Sequence, residues 1–127
     1  MEIGIKHTVT ETVTMDKTAA TVGSGLLPVY ATPAMIALME KCASECVAPY
    51  IEEGKSSVGT MLNVKHLAAS PVGIEITCTA TLTEVDGRRL VFSLEACDEK
   101  GPIGEGTHER FVIDVDRFMS KCNSKLD

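Results

Sequence analysis

Residues 33–48, PAMIALMEKCASECVA, decide the fold of this 127-residue chain. Good helix formers fill the stretch and no proline or glycine follows its first position, which predicts a helix of about four turns. Thr32 before Pro33 is typical of a helix start, with threonine as the N-cap and proline at the first helical position. Apolar residues cover more than half of the circumference, with a central stripe of Met35, Met39, Cys42 and Cys46. We therefore expect other structure to enclose this helix.

Alternating apolar and polar residues predict strands on both sides of the helix. The pattern covers residues 3–15, 58–69, 74–83, 90–94 and about 103–115. Short connections join the last four strands, among them the hairpin signal Asp86-Gly87, so these strands should pair antiparallel. Residues 16–31 form a longer connection, of a kind that often serves as a lid or a binding wall.

The order of these elements predicts the fold class. One strand, one apolar helix and four further strands favour an α+β architecture, and the chain length suits a single domain over residues 1–127. A curved antiparallel sheet wrapped around one long central helix satisfies every pattern above. This is the arrangement of the hot-dog fold.

Composition excludes several kinds of partner. The net charge of -6 and the lack of a basic cluster argue against nucleic acid, and no apolar run is long enough to cross a membrane. Five cysteines without paired spacing, and a start without a secretory signal, favour reduced thiols in the cytoplasm. Two tyrosines, three phenylalanines and no tryptophan leave a modest core. A homodimer that covers an edge or a face of the sheet would help such a domain.

Three polar residues stand where burial is expected. Glu40 interrupts the apolar helix, His66 interrupts a strand, and Thr32 lies at the helix start. Each also has a structural interpretation: a carboxylate at the rim of a buried face, a core histidine bonded to the backbone, and a helix cap. If they converge, they would form a hydrolytic site, because the helix N-terminus also offers free amides and a positive dipole to an oxyanion.

Other titratable residues are weaker candidates. His108 occupies the register opposite the large apolar residues of its strand, such as Phe111, and we expect it to face solvent or an interface. His7 is expected to be structural or exposed. Cys42 and Cys46 have one-turn spacing, but no second pair or nearby histidine completes a metal site, so we interpret them as core residues and expect no metal.

Short motifs follow one another in a specific order between about Tyr30 and Val115. They are Ala31-Thr32-Pro33-Ala34-Met35, Leu38-Met39-Glu40, Ser57-Val58-Gly59-Thr60, His66 with Ala68-Ala69, Pro71-Val72-Gly73, Gly87-Arg88-Arg89-Leu90 and Gly106-Thr107-His108-Glu109-Arg110. In their order and spacing they resemble the fluoroacetyl-coenzyme A thioesterase family of hot-dog proteins.

The resemblance implies thioester hydrolysis on a homodimer, with each site at the subunit interface. Glu40 would act as the nucleophile or as a base toward water, and Thr32 would orient Glu40 and help to polarise the acyl carbonyl. His66 would transfer protons. Gly59 matches a family glycine whose backbone approaches the thioester carbonyl, where the absence of a side chain suits the role. Arg110 matches a family arginine near the acyl pocket.

The loop before the helix departs from the family pattern. The fluoroacetyl enzyme places phenylalanines there, whereas this chain has Val22, Leu26, Leu27 and Tyr30. Leu26 and Tyr30 are the residues expected to contact the substrate. The difference favours a general short-acyl-coenzyme A substrate over a selective fluoroacetyl one.

The sequence therefore predicts a cytoplasmic acyl-coenzyme A thioesterase that acts on small acyl groups as a homodimer or a higher oligomer. Coenzyme A (CoA) would be part of the substrate, its phosphates held by Arg88, Arg89 or Lys65, and no separate cofactor is expected. Two alternatives stay open. One is a hot-dog enoyl-CoA hydratase, although the helix lacks the expected Asp-to-His motif; the other is a non-catalytic acyl-CoA-binding module.

Overall fold

The computed structural model describes residues 1–127 and contains one five-stranded sheet. Its strands are β1 (Lys6–Thr12), β2 (Lys55–His66), β3 (Glu75–Asp86), β4 (Arg89–Asp98) and β5 (Gly101–Asp114). They lie in the order β1-β3-β4-β5-β2, and every neighbouring pair is antiparallel. The five predicted strands are confirmed, and so is the antiparallel pairing of β3 with β4 and of β4 with β5. The short connection from β2 to β3 does not form a hairpin, because β2 pairs with β5 at the other side of the sheet. Because β1 and β2 are the outer strands, each leaves one backbone edge unpaired.

Three α-helices accompany the sheet: α1 (Ala19–Val22), α2 (Thr32–Val47) and α3 (Val115–Asn123). Single 3₁₀ turns cover Met15–Lys17, Ala48–Tyr50 and Ser124–Leu126. The predicted long helix is α2, while α3 was not anticipated from the sequence. The side chain of Asp114 caps α3 by accepting a hydrogen bond from the amide of Arg117, and this ends β5 one residue before the predicted position. None of the helices is long and apolar enough to span a bilayer.

Helix α2 lies against the sheet with most of its apolar surface covered. Its buried residues are Met35, Leu38, Met39, Cys42, Ala43, Cys46 and Val47. They pack against alternate residues of the central strands, including Ile76, Cys78, Phe92 and Leu94, in one core of 18 residues. Cys42 and Cys46 belong to this core, as the sequence interpretation held. The enclosed helix and the α+β hot-dog architecture are thus confirmed.

The start of α2 differs from the prediction by one residue, and the difference is physical. Ala31, in extended conformation, is the N-cap residue, and no side chain caps the helix. Thr32 is already helical, and its hydroxyl is engaged by His66. The prediction of Thr32 as a cap was therefore wrong. Its hydroxyl contacts a side chain of β2 and not the backbone amides of the helix start.

A β-bulge shifts the register of β2 between Gly59 and Met61. Before it, Gly59 lies opposite Arg110; after it, Leu62 lies opposite His108, and both pairs face α2. The sequence had placed Val58 in one register with Leu62 and His66, and the bulge makes that alignment wrong for Val58. It does leave both Gly59 and His66 on the side of the helix.

The predicted orientation of β5 was also wrong. His108 is fully buried and Arg110 is only 7% exposed, whereas Phe111 is 41% exposed. These polar residues can be buried because they are hydrogen-bonded, His108 to the backbone oxygen of Met61 and Arg110 to Ser57. Gly104 lies on the same inward register, where a Cβ would lie 2.6 Å from Met35 Sδ of α2.

Candidate active site

The predicted residues Thr32 and His66 meet at one end of the sheet. Thr32 opens α2 and His66 closes β2. Thr32 Oγ1 and His66 Nδ1 lie 2.7 Å apart and form a hydrogen bond. We call these two residues the histidine half-site.

The other ring nitrogen of His66, Nε2, is buried and has no hydrogen-bond partner. Buried polar atoms are nearly always paired, so such an atom marks a place where a ligand or another chain can supply the partner. Burial lowers the pKa of His66 below its ordinary value of 6.5. The imidazole is therefore neutral at pH 7 and can exchange a proton.

A pocket of about 330 Å³ opens beside the histidine half-site. Tyr30, from the loop before α2, and the small residues Ala68 and Ala69, which follow β2, form much of its lining. A volume at the lower end of the range for ligand sites suits a small group. The Tyr30 hydroxyl donates a hydrogen bond of 2.5 Å to Glu11 Oε2, so this tyrosine forms a wall and is already engaged.

Leu26 lies at the tip of the same loop and is 93% exposed. Two short backbone bridges, Thr18 with Tyr30 and Val29 with Pro71, fix the ends of the loop, and the tip extends from them into solvent. The structure thus brings Tyr30 to the pocket lining and leaves Leu26 outside it.

Glu40 lies two turns further along α2, beside the inward registers of β2 and β5. Its Oε2 is 3.9 Å from Arg110 Nη1, an ion pair in which the arginine side chain is 8% exposed and that of Glu40 is 39% exposed. Gly59 completes this group, because a Cβ there would lie 2.8 Å from Glu40 Oε2. Glu40, Gly59 and Arg110 form what we call the glutamate half-site.

The two half-sites do not meet within one chain. Thr32 and Glu40 are eight residues apart on one helix, a separation of roughly 12 Å along its axis. The structure therefore brings Thr32 to His66, and Glu40 to Gly59 and Arg110. Within a single copy, Glu40 therefore does not join Thr32 and His66 to complete the predicted triad.

The basic residues expected at the CoA phosphates differ in availability. Arg89 donates to Glu84 Oε2 at 2.5 Å and to Glu109 Oε1 at 2.6 Å, so its guanidinium is occupied. Lys65 and Arg88 form no ion pair within the chain. Of the three, Lys65 lies next to His66 at the end of β2.

Two residues of the glutamate half-site's surroundings were missed. Ser57 accepts from Arg110 at its hydroxyl and at its backbone oxygen, and His108 contacts the same guanidinium. A sequence signal existed for His108: it stands two residues before Arg110, and alternate residues of a strand share a face.

Gly59 gives a direct prediction. A Gly59→Ala methyl group would displace the flexible end of Glu40, with the His108 ring next nearest at 3.2 Å, and Gly59 does not have the positive φ that would strain alanine. We expect the variant to fold with nearly unchanged melting temperature and to lose about tenfold or more of any activity that needs Glu40 in place. Ser56→Ala, at an exposed position of the same strand, is the control. Equal activity of both variants would contradict this placement of Glu40.

The chain is similar to proteins of known activity. The model of the family described as fluoroacetyl-CoA-specific thioesterase, FlK, matches residues 13–116. The fluoroacetyl-CoA thioesterase of Streptantibioticus cattleyicolor is 45% identical over 97 residues, which cover 76% of this chain and 70% of that protein.

Solved structures extend the similarity to the whole fold. A threonine-to-serine variant of the fluoroacetyl-CoA enzyme FlK, in complex with acetyl-CoA, has a TM-score of 0.95 at 37% identity and covers 100% of both chains. A phenylalanine-to-alanine variant with fluoroacetate and CoA has a TM-score of 0.89 at 39% identity, covering 93% of this chain and 99% of that one. A hot-dog-like protein from Thermanaerovibrio acidaminovorans has a TM-score of 0.91 at 29% identity, with 100% and 94% covered. The chain belongs to the fluoroacetyl-CoA-specific thioesterase family and is a thioester hydrolase of the hot-dog fold.

Proposed function

We propose that the protein hydrolyses small acyl-CoA thioesters in a site that two copies of the chain complete together. The observation that carries the proposal is the pair of half-sites: a neutral histidine with a free buried nitrogen at a small pocket, and a carboxylate beside a buried arginine. Each supplies part of what thioester hydrolysis needs, and neither is sufficient alone.

The free edge of β2 supports a homodimer. Gly59 and His66 both lie on this outer strand, seven residues apart. Antiparallel pairing of two β2 strands about the middle of the segment 59–66 would set Gly59 of one copy beside the partner's His66. Leu62, near that midpoint, is 38% exposed and would be covered. Two equivalent sites would result, each joining one glutamate half-site to one histidine half-site.

The chemistry follows from the groups that would meet. Water adds to the thioester carbonyl, the carbon–sulfur bond breaks, and the products are a carboxylic acid and the CoA thiol. Glu40 would remove the proton from water, or attack the carbonyl itself to give an anhydride that water then opens. His66 Nε2 would pass a proton to the leaving sulfur, which gives the CoA thiol. Thr32 holds His66 in orientation, and the amides at the α2 N-terminus would favour the developing oxyanion.

The substrate range follows from the pocket and from the loop. The volume of about 330 Å³ favours a short acyl group. The exposed loop tip carries Leu26 and Leu27, so we propose a short aliphatic acyl-CoA without fluoroacetyl preference. CoA enters as part of the substrate with no further cofactor, and Lys65 or Arg88 would contact its phosphates. Five unpaired cysteines support action in the cytoplasm.

A panel of acyl-CoA esters tests the substrate proposal. Free-thiol release should be fastest with acetyl- and propionyl-CoA and should fall steadily for longer chains. Fluoroacetyl-CoA should be turned over within about tenfold of acetyl-CoA, since the loop has no phenylalanine to select it. A preference for fluoroacetyl-CoA of a thousandfold would refute the lack of selectivity. Hydration of crotonyl-CoA without thiol release, or tight binding without turnover, would refute hydrolysis itself.

A further inference from the structure

Arg110 is an almost fully buried guanidinium held by three neighbours. Its Nε donates to Ser57 Oγ at 2.8 Å and its Nη2 to the Ser57 backbone oxygen at 2.9 Å. Its Nη1 lies 3.2 Å from His108 Nε2 and 3.9 Å from Glu40 Oε2. A buried charge is costly unless its donors are satisfied, so each of these contacts matters to where the guanidinium lies.

The contacts of His108 define its protonation state. Its Nδ1 lies 2.8 Å from the backbone oxygen of Met61, which can only accept, so Nδ1 carries the proton. Its Nε2 faces Arg110 Nη1, which can only donate, so Nε2 carries a lone pair. Both hydrogen bonds fit one species, the neutral imidazole with its proton on Nδ1. Burial, and to a lesser extent the charge of Arg110, lower the pKa of His108 and support the same species.

We propose that His108 is a positioning residue that holds the Arg110 guanidinium beside the Glu40 carboxylate by accepting its Nη1 hydrogen bond. The inference rests on the proposed role of Glu40 in hydrolysis. The β2 bulge contributes to this arrangement, since Met61, where the bulge ends, supplies the backbone oxygen that orients the His108 ring. His108 itself does not touch the substrate in this account.

The surroundings of His108 explain why a neutral acceptor is needed there. The groups that face it are Arg110 on β5, Glu40 on α2, the Met61 carbonyl on β2 and the Phe92 ring on β4 at 6.0 Å. A protonated ring would replace the lone pair at Nε2 with a second donor, directly against the Arg110 cation. The guanidinium would lose that hydrogen bond and move relative to Glu40.

Two amide variants separate the two ring nitrogens. In His108→Asn the amide can replace Nδ1 and its bond to Met61, but nothing reaches Arg110. In His108→Gln the longer side chain can place an oxygen near the Nε2 position, where Arg110 can donate to it. We expect kcat on acetyl-CoA to fall about 100-fold in the asparagine variant and clearly less in the glutamine variant, with KM changing little in both.

A double-variant cycle tests whether His108 acts through Arg110. In an Arg110→Met background, His108→Asn should cause less than about a twofold further loss of kcat, because the partner it holds is gone. An undiminished 100-fold loss in that background, or equal losses in the asparagine and glutamine variants, would overturn the proposal.

A measurement independent of turnover keeps this inference separate from the proposed function. Nitrogen-15 NMR of His108 at pH 7 should show a neutral ring protonated at Nδ1. The Arg110 Nη1 protons should exchange slowly with solvent in the wild type and the glutamine variant, and quickly in the asparagine variant, while the Nε–H bonded to Ser57 serves as the internal reference. A charged ring, or one protonated at Nε2, would overturn the positioning role. If the wild type hydrolyses no thioester, the proposed function fails, and these spectra still decide whether His108 holds Arg110.

Discussion

Glu40→Gln should lower kcat on acetyl-CoA by about 10²- to 10⁴-fold, the range that a positioned general base or nucleophile contributes. Glutamine keeps the size and shape of the side chain but can neither accept a proton at pH 7 nor attack a carbonyl. The buried Arg110 would lose its charged neighbour at 3.9 Å and keep its bonds to Ser57 and His108. The fold should persist, and the measurement is thiol release at saturating substrate.

Glu45→Gln is the matched control. Glu45 lies on the same helix, is exposed, and contacts His7 Nε2 at 3.1 Å on the surface. An exposed pair of this kind contributes little to stability, so both the melting temperature and kcat should stay close to those of the wild type. If the two glutamine variants retained the same activity, Glu40 would have no part in the reaction.

His66→Asn should have the second-largest effect, about 10²-fold or more on kcat. The asparagine amide can still meet Thr32 at the position of Nδ1, but nothing replaces the buried Nε2 that has no partner within the chain. The loss therefore isolates the proton-transfer nitrogen from the Thr32 hydrogen bond. Thr32→Val, which removes the hydroxyl and keeps the side-chain shape, should cost less because Nε2 stays in place.

The pH profile gives a further test of His66. Because burial lowers its pKa below 6.5, the neutral form persists at pH 7, and the decline that its protonation causes should lie at a pH below 6.5. The same shift affects stability: the unfolded chain takes up this proton at a higher pH, so the free energy of unfolding decreases as pH falls through 6.5. His66→Asn should remove this contribution to both curves. A decline assigned to His66 that is centred above pH 6.5 would contradict its burial.

Most of the fold could be predicted because hydrophobic periodicity is a local signal. The apolar arc of residues 33–48 indicated an enclosed helix, and alternation together with Asp86-Gly87 indicated antiparallel strands. The C-terminal helix α3 was missed because it has only nine residues and directly follows β5, although Val115, Phe118, Met119 and Cys122 recur at helical spacing. A second signal was Asp114, a residue of the capping type three positions before Arg117.

The arrangement of the site was harder to predict, for reasons of register and contact. The bulge after Gly59 changes which residues of β2 face the helix, and the alternation of apolar and polar residues does not indicate where it occurs. The burial of His108 depends on its hydrogen bond to the backbone oxygen of Met61, a contact between distant parts of the chain. The residue types at Thr32, Glu40 and His66 were visible in the sequence. Their separation into two half-sites depends on the length of α2 in three dimensions.

Mixing two inactive variants tests most directly whether two copies of the chain build each site. Glu40→Gln and His66→Asn are each purified, unfolded together and refolded as a mixture. If each site takes its glutamate from one copy and its histidine from the other, half of the dimers would be mixed and would hold one intact site of two. Thiol release should then recover to about a quarter of the wild-type rate. Activity no higher than the average of the separate variants, in a sample shown to contain mixed dimers, would contradict the account.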